Sequence, residues 1–241
     1  MGWASGWMAC HSELRPRDLR AFYLDETDLK NGIVFEYQPT DEDRLPPFYV
    51  HSLLVESEDT TWLLSTYYDY EYRPYQMARE ELRAGGSLLR DFKLYAPADS
   101  TGTQRIATAN IEQNAVFPFR VGGANTEALV YAVNWQDPTD PATRISLLRN
   151  RQYAGDTTFI FRGEPLDAVR FNLRELVDTE QNGHLEQEYG GYEIYARGLG
   201  LVAFRKEVSP DFAVAYELSD TFPMKELEMR FAEQLKLSPD Q

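Results

Sequence analysis

Hydrophobic and polar positions alternate most clearly along 156–218. Val169, Phe171, Leu173 and Val177 alternate with Arg170, Asn172, Arg174 and Asp178, the period-two signature of a strand with one buried and one wet face. Glu175 interrupts the apolar phase. The following Glu180-Gln181-Asn182-Gly183 is turn chemistry, since Asn-Gly tolerates the positive φ of tight hairpins. The chain returns through 192–196, bends at Gly198-Leu199-Gly200 and continues through 201–207. Ser209-Pro210-Asp211 then turns it into Phe212, Val214, Tyr216 and Leu218, which alternate with Ala213, Ala215 and Glu217. The stretch predicts four antiparallel strands.

The rest of the chain supports the same class. Asn31-Gly32 opens a strand with Ile33, Phe35 and Tyr37 on one face. Residues 48–56 and 61–70 form a pair across Ser57-Glu58-Asp59, and the second alternates so imperfectly that both of its faces are expected to be covered. Residues 76–82 fit either one or two helical turns or the end of a strand, and Gly85-Gly86 stops either. Strands are further predicted over 88–95, 105–119 with Pro118 at an edge or end, 128–135 after Gly122-Gly123, 145–153 and 157–161. Pro223 then opens a helix over 223–236, whose Met224, Leu227, Phe231 and Leu235 make one apolar stripe. The predicted fold is mainly β (α+β): a large curved antiparallel sheet or half-barrel with a C-terminal covering helix. Residues 1–30 read as a signal remnant or tether and lead-in segment, and 31–236 as a single β-rich domain.

Composition narrows the function. A chain of 241 residues, 43% hydrophobic, can bury a substantial core. Its net charge of −15 repels polyanions, and with no basic stripe nucleic acid is not an expected partner. Cys10 is the single cysteine, so no intrachain disulfide exists. Met1 to Ala9 is small and apolar, and with Ala9 directly before Cys10 it resembles the end of a bacterial lipoprotein signal, whose cysteine becomes lipidated. No Lys or Arg precedes the cysteine, and Trp7 and Met8 depart from that motif. Lipid attachment at Cys10 and an incidental surface thiol both stay open. No other stretch approaches the ~20 apolar residues of a membrane helix, so membrane contact is expected only through a lipid anchor.

Candidate chemistry is sparse. His11, His51 and His184 form no metal-ligand spacing, and no metal or cofactor is expected. His184 reads as an exposed hairpin residue beside Glu186 and Glu188; His51, in an apolar strand, reads as a hydrogen-bonded buried side chain or a cavity lining. No nucleophile elbow or phosphate cradle occurs, and no catalytic residue is assigned. The sheet can curve into a concave face lined by Trp62, Tyr67, Phe117, Trp135, Phe171 and Tyr192, the candidate ligand-binding residues, which fit an ordinary core equally well.

The segment Gly191-Tyr192-Glu193-Ile194-Tyr195-Ala196-Arg197-Gly198-Leu199-Gly200-Leu201-Val202-Ala203-Phe204-Arg205-Lys206 resembles the late strand pair of uncharacterised envelope lipoproteins of Bacteroidota. Arg149-Asn150-Arg151 and Gly155-Asp156-Thr157-Thr158-Phe159 fit the same resemblance. More distantly, antiparallel strands with a covering helix are similar to the half-barrels of LolA-like carriers, which hold acyl chains in an apolar concavity. The resemblance implies a non-enzymatic protein of the bacterial envelope, in the outer membrane or periplasm, tethered through Cys10. Its expected partners are a lipid or other apolar ligand, or an envelope protein. Without processing at Cys10 the expected location is the cytoplasm. The alternatives are a carboxylate-dependent hydrolase and a structural subunit recognised through an exposed edge strand. An unfilled cavity is expected of a carrier, and a filled sheet interior of a scaffold.

Overall fold

Alternation over long stretches yields long strands, and these are joined by short turns. The computed structural model describes residues 17–23, 26–40, 45–98, 102–122 and 129–237. In chain order it contains β1 (Arg17–Asp18), a single 3-10 turn (Arg20–Phe22), α1 (Glu26–Leu29), β2 (Ile33–Pro39), β3 (Phe48–Ser57), β4 (Thr60–Tyr68) and β5 (Pro74–Arg83). Next come β6 (Gly86–Tyr95), β7 (Ile106–Thr108), β8 (Asn110–Pro118), β9 (Arg120–Val121) and β10 (Leu129–Gln136). The last part holds β11 (Arg144–Phe161), β12 (Glu164–Glu180), β13 (His184–Ala196), β14 (Gly200–Ser209), β15 (Phe212–Phe222) and α2 (Met224–Leu237). The four-strand meander predicted over 156–218 is present as β12 to β15, with its Asn-Gly turn at Asn182 (φ 58°), and the strands expected over 145–153 and 157–161 are one continuous β11.

The neighbours run β5-β4-β3-β2-β15-β14-β13-β12-β11-β10-β8-β6, and β6 pairs back onto β5. Among the described residues this makes a closed antiparallel barrel of twelve strands, with β7 continuing the line of β8 along β6. The expected half-barrel is therefore corrected to a closed one. Closure depends on the segment left open between helix and strand: residues 76–82 belong to β5, whose Gln76 faces Leu94 and whose Arg83 faces Gly86. As the partner of both β4 and β6, that segment satisfies the backbone groups on both of its edges.

The covering helix is a second correction. Leu227 is buried with Val34, Tyr49 and Phe222 on the outer wall, and Met224 packs beside them. Phe231 and Leu235 of the same stripe are exposed. A barrel that closes on itself has no open apolar face for a helix to cover, so α2 caps only a patch outside β2 and β3.

The wall has a definite sense. Val169, Phe171 and Leu173 of β12 are buried, while Arg170, Asn172 and Arg174 are exposed, as are Arg205 and Glu207 of β14. This polar outer face is the reverse of the apolar outer band of a membrane barrel. Twelve strands enclose more space than their own side chains fill, since eight are enough for a filled interior. Part of that space is occupied by 17–23, expected to be a tether and lead-in. Leu19 and Phe22 are among the most buried residues. The Leu19 N–H donates to the Phe119 carbonyl (2.9 Å) and the Gly198 N–H donates to the Ala21 carbonyl (2.8 Å). Tyr23 stacks on Phe117 at 4.5 Å between ring centroids, within a cluster that includes Phe119, Phe171 and Tyr195. Gly200 makes this docking fit: its φ is +78°, and a Cβ there would stand 2.5 Å from the Tyr23 carbonyl oxygen. Elsewhere Phe92, Tyr131 and Val133 form a second packed cluster.

Candidate functional site

Between these clusters lies a cavity of about 490 Å³, bounded by side chains from β2 to β5 and from β11 to β15. Its upper wall is aromatic. Tyr37 stacks on Phe48 (4.7 Å), and Phe204 stacks on Tyr216 (5.5 Å). Two phenols are anchored by their hydroxyls, Tyr37 donating to the Leu201 carbonyl and Tyr216 to the Pro46 carbonyl, each at 2.8 Å. Pro46 and Tyr70, both exposed, belong to the lining and mark the solvent end.

The opposite wall is ionic. Arg149 and Arg151 lie two apart on β11, so both point inward, and the register sets Arg149 opposite Glu175. Glu193 on β13 lies opposite Phe171 and Phe204, and Lys206 on β14 lies opposite Gly191. Glu175 therefore does not interrupt the inward face of β12; it continues that face with a charge, 4% exposed. Arg149 donates to Glu175 through Nε (2.8 Å) and Nη2 (2.6 Å), and Lys206 also donates to Glu175. Arg151 donates to Glu193 through Nε at 2.6 Å and Nη2 at 3.3 Å, and through Nη1 to the Val116 carbonyl at 3.1 Å. The Tyr195 hydroxyl donates to Glu193 at 2.9 Å, and Arg149 approaches Glu193 within 3.7 Å. Burial alone would raise both carboxyls; the Arg149 charge and Lys206 hold Glu175 below the usual glutamate range, and the Arg151 and Arg149 charges do the same for Glu193.

Glu80 of β5 is a third inward carboxyl, in contact with the Tyr23 and Ser87 hydroxyls. Burial pushes it above the usual glutamate range, against those two contacts. Burial likewise pushes the Tyr67 phenol up to about 12. The arrangement offers a space open at its solvent end, with rings on one side and fixed charges on the other, able to hold a molecule that is part apolar and part polar.

Of the six aromatic residues expected to line a ligand face, Tyr67 lines the cavity. Phe117 and Phe171, each 1% exposed, are packed into the cluster around Tyr23. Trp135 joins the Phe92 and Tyr131 cluster. Trp62 and Tyr192 are on the outer wall: Trp62 lies opposite Glu81 with Arg79 over its ring, and Tyr192 lies opposite Arg205 with Arg170 over its ring. His184 is exposed and contacts Asp178 through Nδ1 at 2.9 Å. His51 is half-buried against Gly32, and burial lowers it. Cys10 and His11 lie outside the described residues. Among those residues no group of three or more His, Cys, Asp or Glu is placed to hold a metal ion. The ionic residues were missed because each, read singly, looks like a wet-face charge; their signal is spacing by two in phase with buried neighbours, as in Arg149-x-Arg151 and Glu193-x-Tyr195.

Fold and site together define a closed antiparallel barrel with an internal, chemically mixed cavity. No family model matches the sequence, and no curated protein matches it. Among solved structures, the chain is similar to a protein provisionally classed as a lipoprotein from Parabacteroides distasonis (TM-score 0.52, 11% identity, covering 83% of this chain and 98% of that one). It is similar also to a protein provisionally classed as exported, with a YmcC-like fold, from Bacteroides fragilis (TM-score 0.53, 10% identity, covering 83% and 98%). At such identities the likeness shows a shared fold. A likeness to LolA-like half-barrels is not among these findings, and closure of the sheet separates this architecture from them.

Proposed function

We propose that this protein is an envelope ligand-binding protein whose barrel encloses a small amphipathic molecule, the tail against the aromatic wall and the head toward the ionic wall. The observation that carries this reading is the unfilled cavity of about 490 Å³ inside an otherwise packed barrel, within the size range of small-molecule sites. Envelope location is supported by the similar structures, one classed as a lipoprotein and one as exported. A lipid anchor at Cys10 belongs to the same proposal and rests on Ala9-Cys10.

The alternatives have less behind them. A carboxylate-dependent hydrolase needs free acid and base groups, whereas Glu175 and Glu193 are held by cations and Glu80 by two hydroxyls. A structural subunit recognised by an edge strand needs an unpaired edge; among the described residues, closure removes the free edges of the sheet and leaves single-sided only overhangs such as 152–161 of β11 and 184–189 of β13.

The test is saturable fluorescence enhancement of N-phenyl-1-naphthylamine, a neutral apolar probe, by the wild-type protein and by Val214→Trp, which places an indole in the cavity lining. Saturable binding that the variant abolishes is the expected result; a wild-type protein that gives none overturns the proposal. Intact mass of protein from its native cells tests the anchor: acylation at Cys10 is expected, and a free thiol there removes it.

A further inference from the structure

The ionic wall is not symmetric toward the cavity. The carboxylates of Glu175 and Glu193 keep 2% and 6% of their side-chain exposure, while Lys206 and Arg149 keep 27% and 30%. Glu175 is hidden behind its cations, and although Glu193 reaches the lining, Arg149 and Lys206 are the more exposed charges there.

The ion pairs also hold more cations than anions. Arg149, Arg151 and Lys206 serve two ion-paired carboxylates, Glu175 and Glu193. Glu80 stands apart from this pairing. It is 7% exposed, its contacts are the hydroxyls of Tyr23 and Ser87, and none of the ion pairs among the described residues involves it. Burial pushes Glu80 above the usual glutamate range, while the two hydroxyls that donate to it and the nearby Arg151 charge act the other way. At the solvent end Asp69 also lines the cavity, but Arg73 neutralises it at 2.9 Å. The partly exposed ends of Arg149 and Lys206 are thus the charged groups of this wall most open to a guest, and an anionic head can add a charge-assisted partner to them.

We infer that the cavity selects amphiphiles with an anionic head, a carboxylate or a phosphate, which sits against Lys206 and Arg149 while the apolar tail runs along Tyr37, Phe48, Phe204 and Tyr216. This rests on the reading of the cavity as a ligand site. The head adds an acceptor to a network already held in place by β-strand register, so little rearrangement is needed on binding.

Displacement of N-phenyl-1-naphthylamine by ligands of one tail length tests this at pH 7 and low salt. The competitors are dodecanoate, dodecyl phosphate, 1-dodecanol and dodecylamine. The wild-type protein is expected to release the probe at about tenfold lower concentration of the anions than of dodecanol, with dodecylammonium the weakest. The order of dodecanoate and dodecyl phosphate identifies the head. Lys206→Met is expected to bring dodecanoate to the level of dodecanol, and Lys206→Arg to restore the preference. Equal displacement by dodecanoate and dodecanol in the wild-type protein overturns the inference and leaves the ligand site standing. If the neutral probe never binds, the ligand site falls and the inference with it.

Discussion

Arg151→Met isolates the energetic role of the ionic wall. Arg151 is 6% exposed and Glu193 4% exposed, so neither has water to replace the other. Removing one member of a buried pair typically costs about 3–5 kcal/mol, because the survivor is stranded. Here Glu193 keeps Arg149 at 3.7 Å and the Tyr195 hydroxyl at 2.9 Å, which lowers the cost. The Val116 carbonyl, however, loses its 3.1 Å donor, adding about 1 kcal/mol. The expected loss is about 3 kcal/mol in urea unfolding at pH 7. The dependence on pH has a definite sign. Because Glu193 is depressed in the fold, its contribution is fully present above the ordinary glutamate value of about 4.3 and is lost as pH falls through the depressed value. The gap between wild type and variant should therefore narrow on acidification. The double variant Arg151→Met/Glu193→Leu, which leaves no stranded carboxylate, should recover much of the loss. A single-variant cost below about 1 kcal/mol, or a double variant less stable than the single, would refute this account of the pair.

Three further outcomes are expected. Phe117→Ala removes a ring set against Tyr23, Phe171 and Tyr195, so urea unfolding should show a loss of about 3–5 kcal/mol, with faster proteolysis at 17–23 as Tyr23 loses its stacking partner. Gly191→Ala places a Cβ 1.9 Å from the Arg205 carbonyl oxygen at a φ of +156°; hydrogen exchange should rise along β13 and β14, and unchanged protection there would contradict the register. His184 is raised by its Asp178 contact, so its NMR titration should lie above the ordinary value of about 6.5 and fall back in Asp178→Asn. Any stability this pair contributes is present below the ordinary histidine value and is lost as pH rises through the raised one.

The wall was largely legible in the sequence because alternation is a local signal. Val169 to Leu173 and Phe212 to Leu218 declare their faces within a few residues. Closure was not, since the pairing of Gln76 with Leu94 and of Gly86 with Pro118 is a matter of register between separate segments. Arg79-Glu80-Glu81 hid the strand: such a run suits one or two helical turns as well as a strand end, yet Glu80 points inward beside Ser87 while Arg79 covers Trp62 on the outside. Residues 17–23 were obscured for a similar reason, their three arginine and aspartate side chains masking the buried Leu19 and Phe22. Arg149, Arg151, Glu193 and Lys206 stood in the segments that carried the family resemblance, but nothing in one strand says that its charges will face those of another across a closed interior.

Closure of β5 onto β6 also sets how the contents of the barrel can be exchanged. An open half-barrel can flex at its free edges and admit a guest sideways, whereas parting any two neighbours here breaks a ladder such as the one joining Gln76–Leu94 to Arg83–Gly86. A guest of the kind proposed would therefore enter along the axis, past Pro46, Pro47, Tyr70 and Tyr75. Its residence time would then be set by those few side chains at the rim rather than by movement of the sheet.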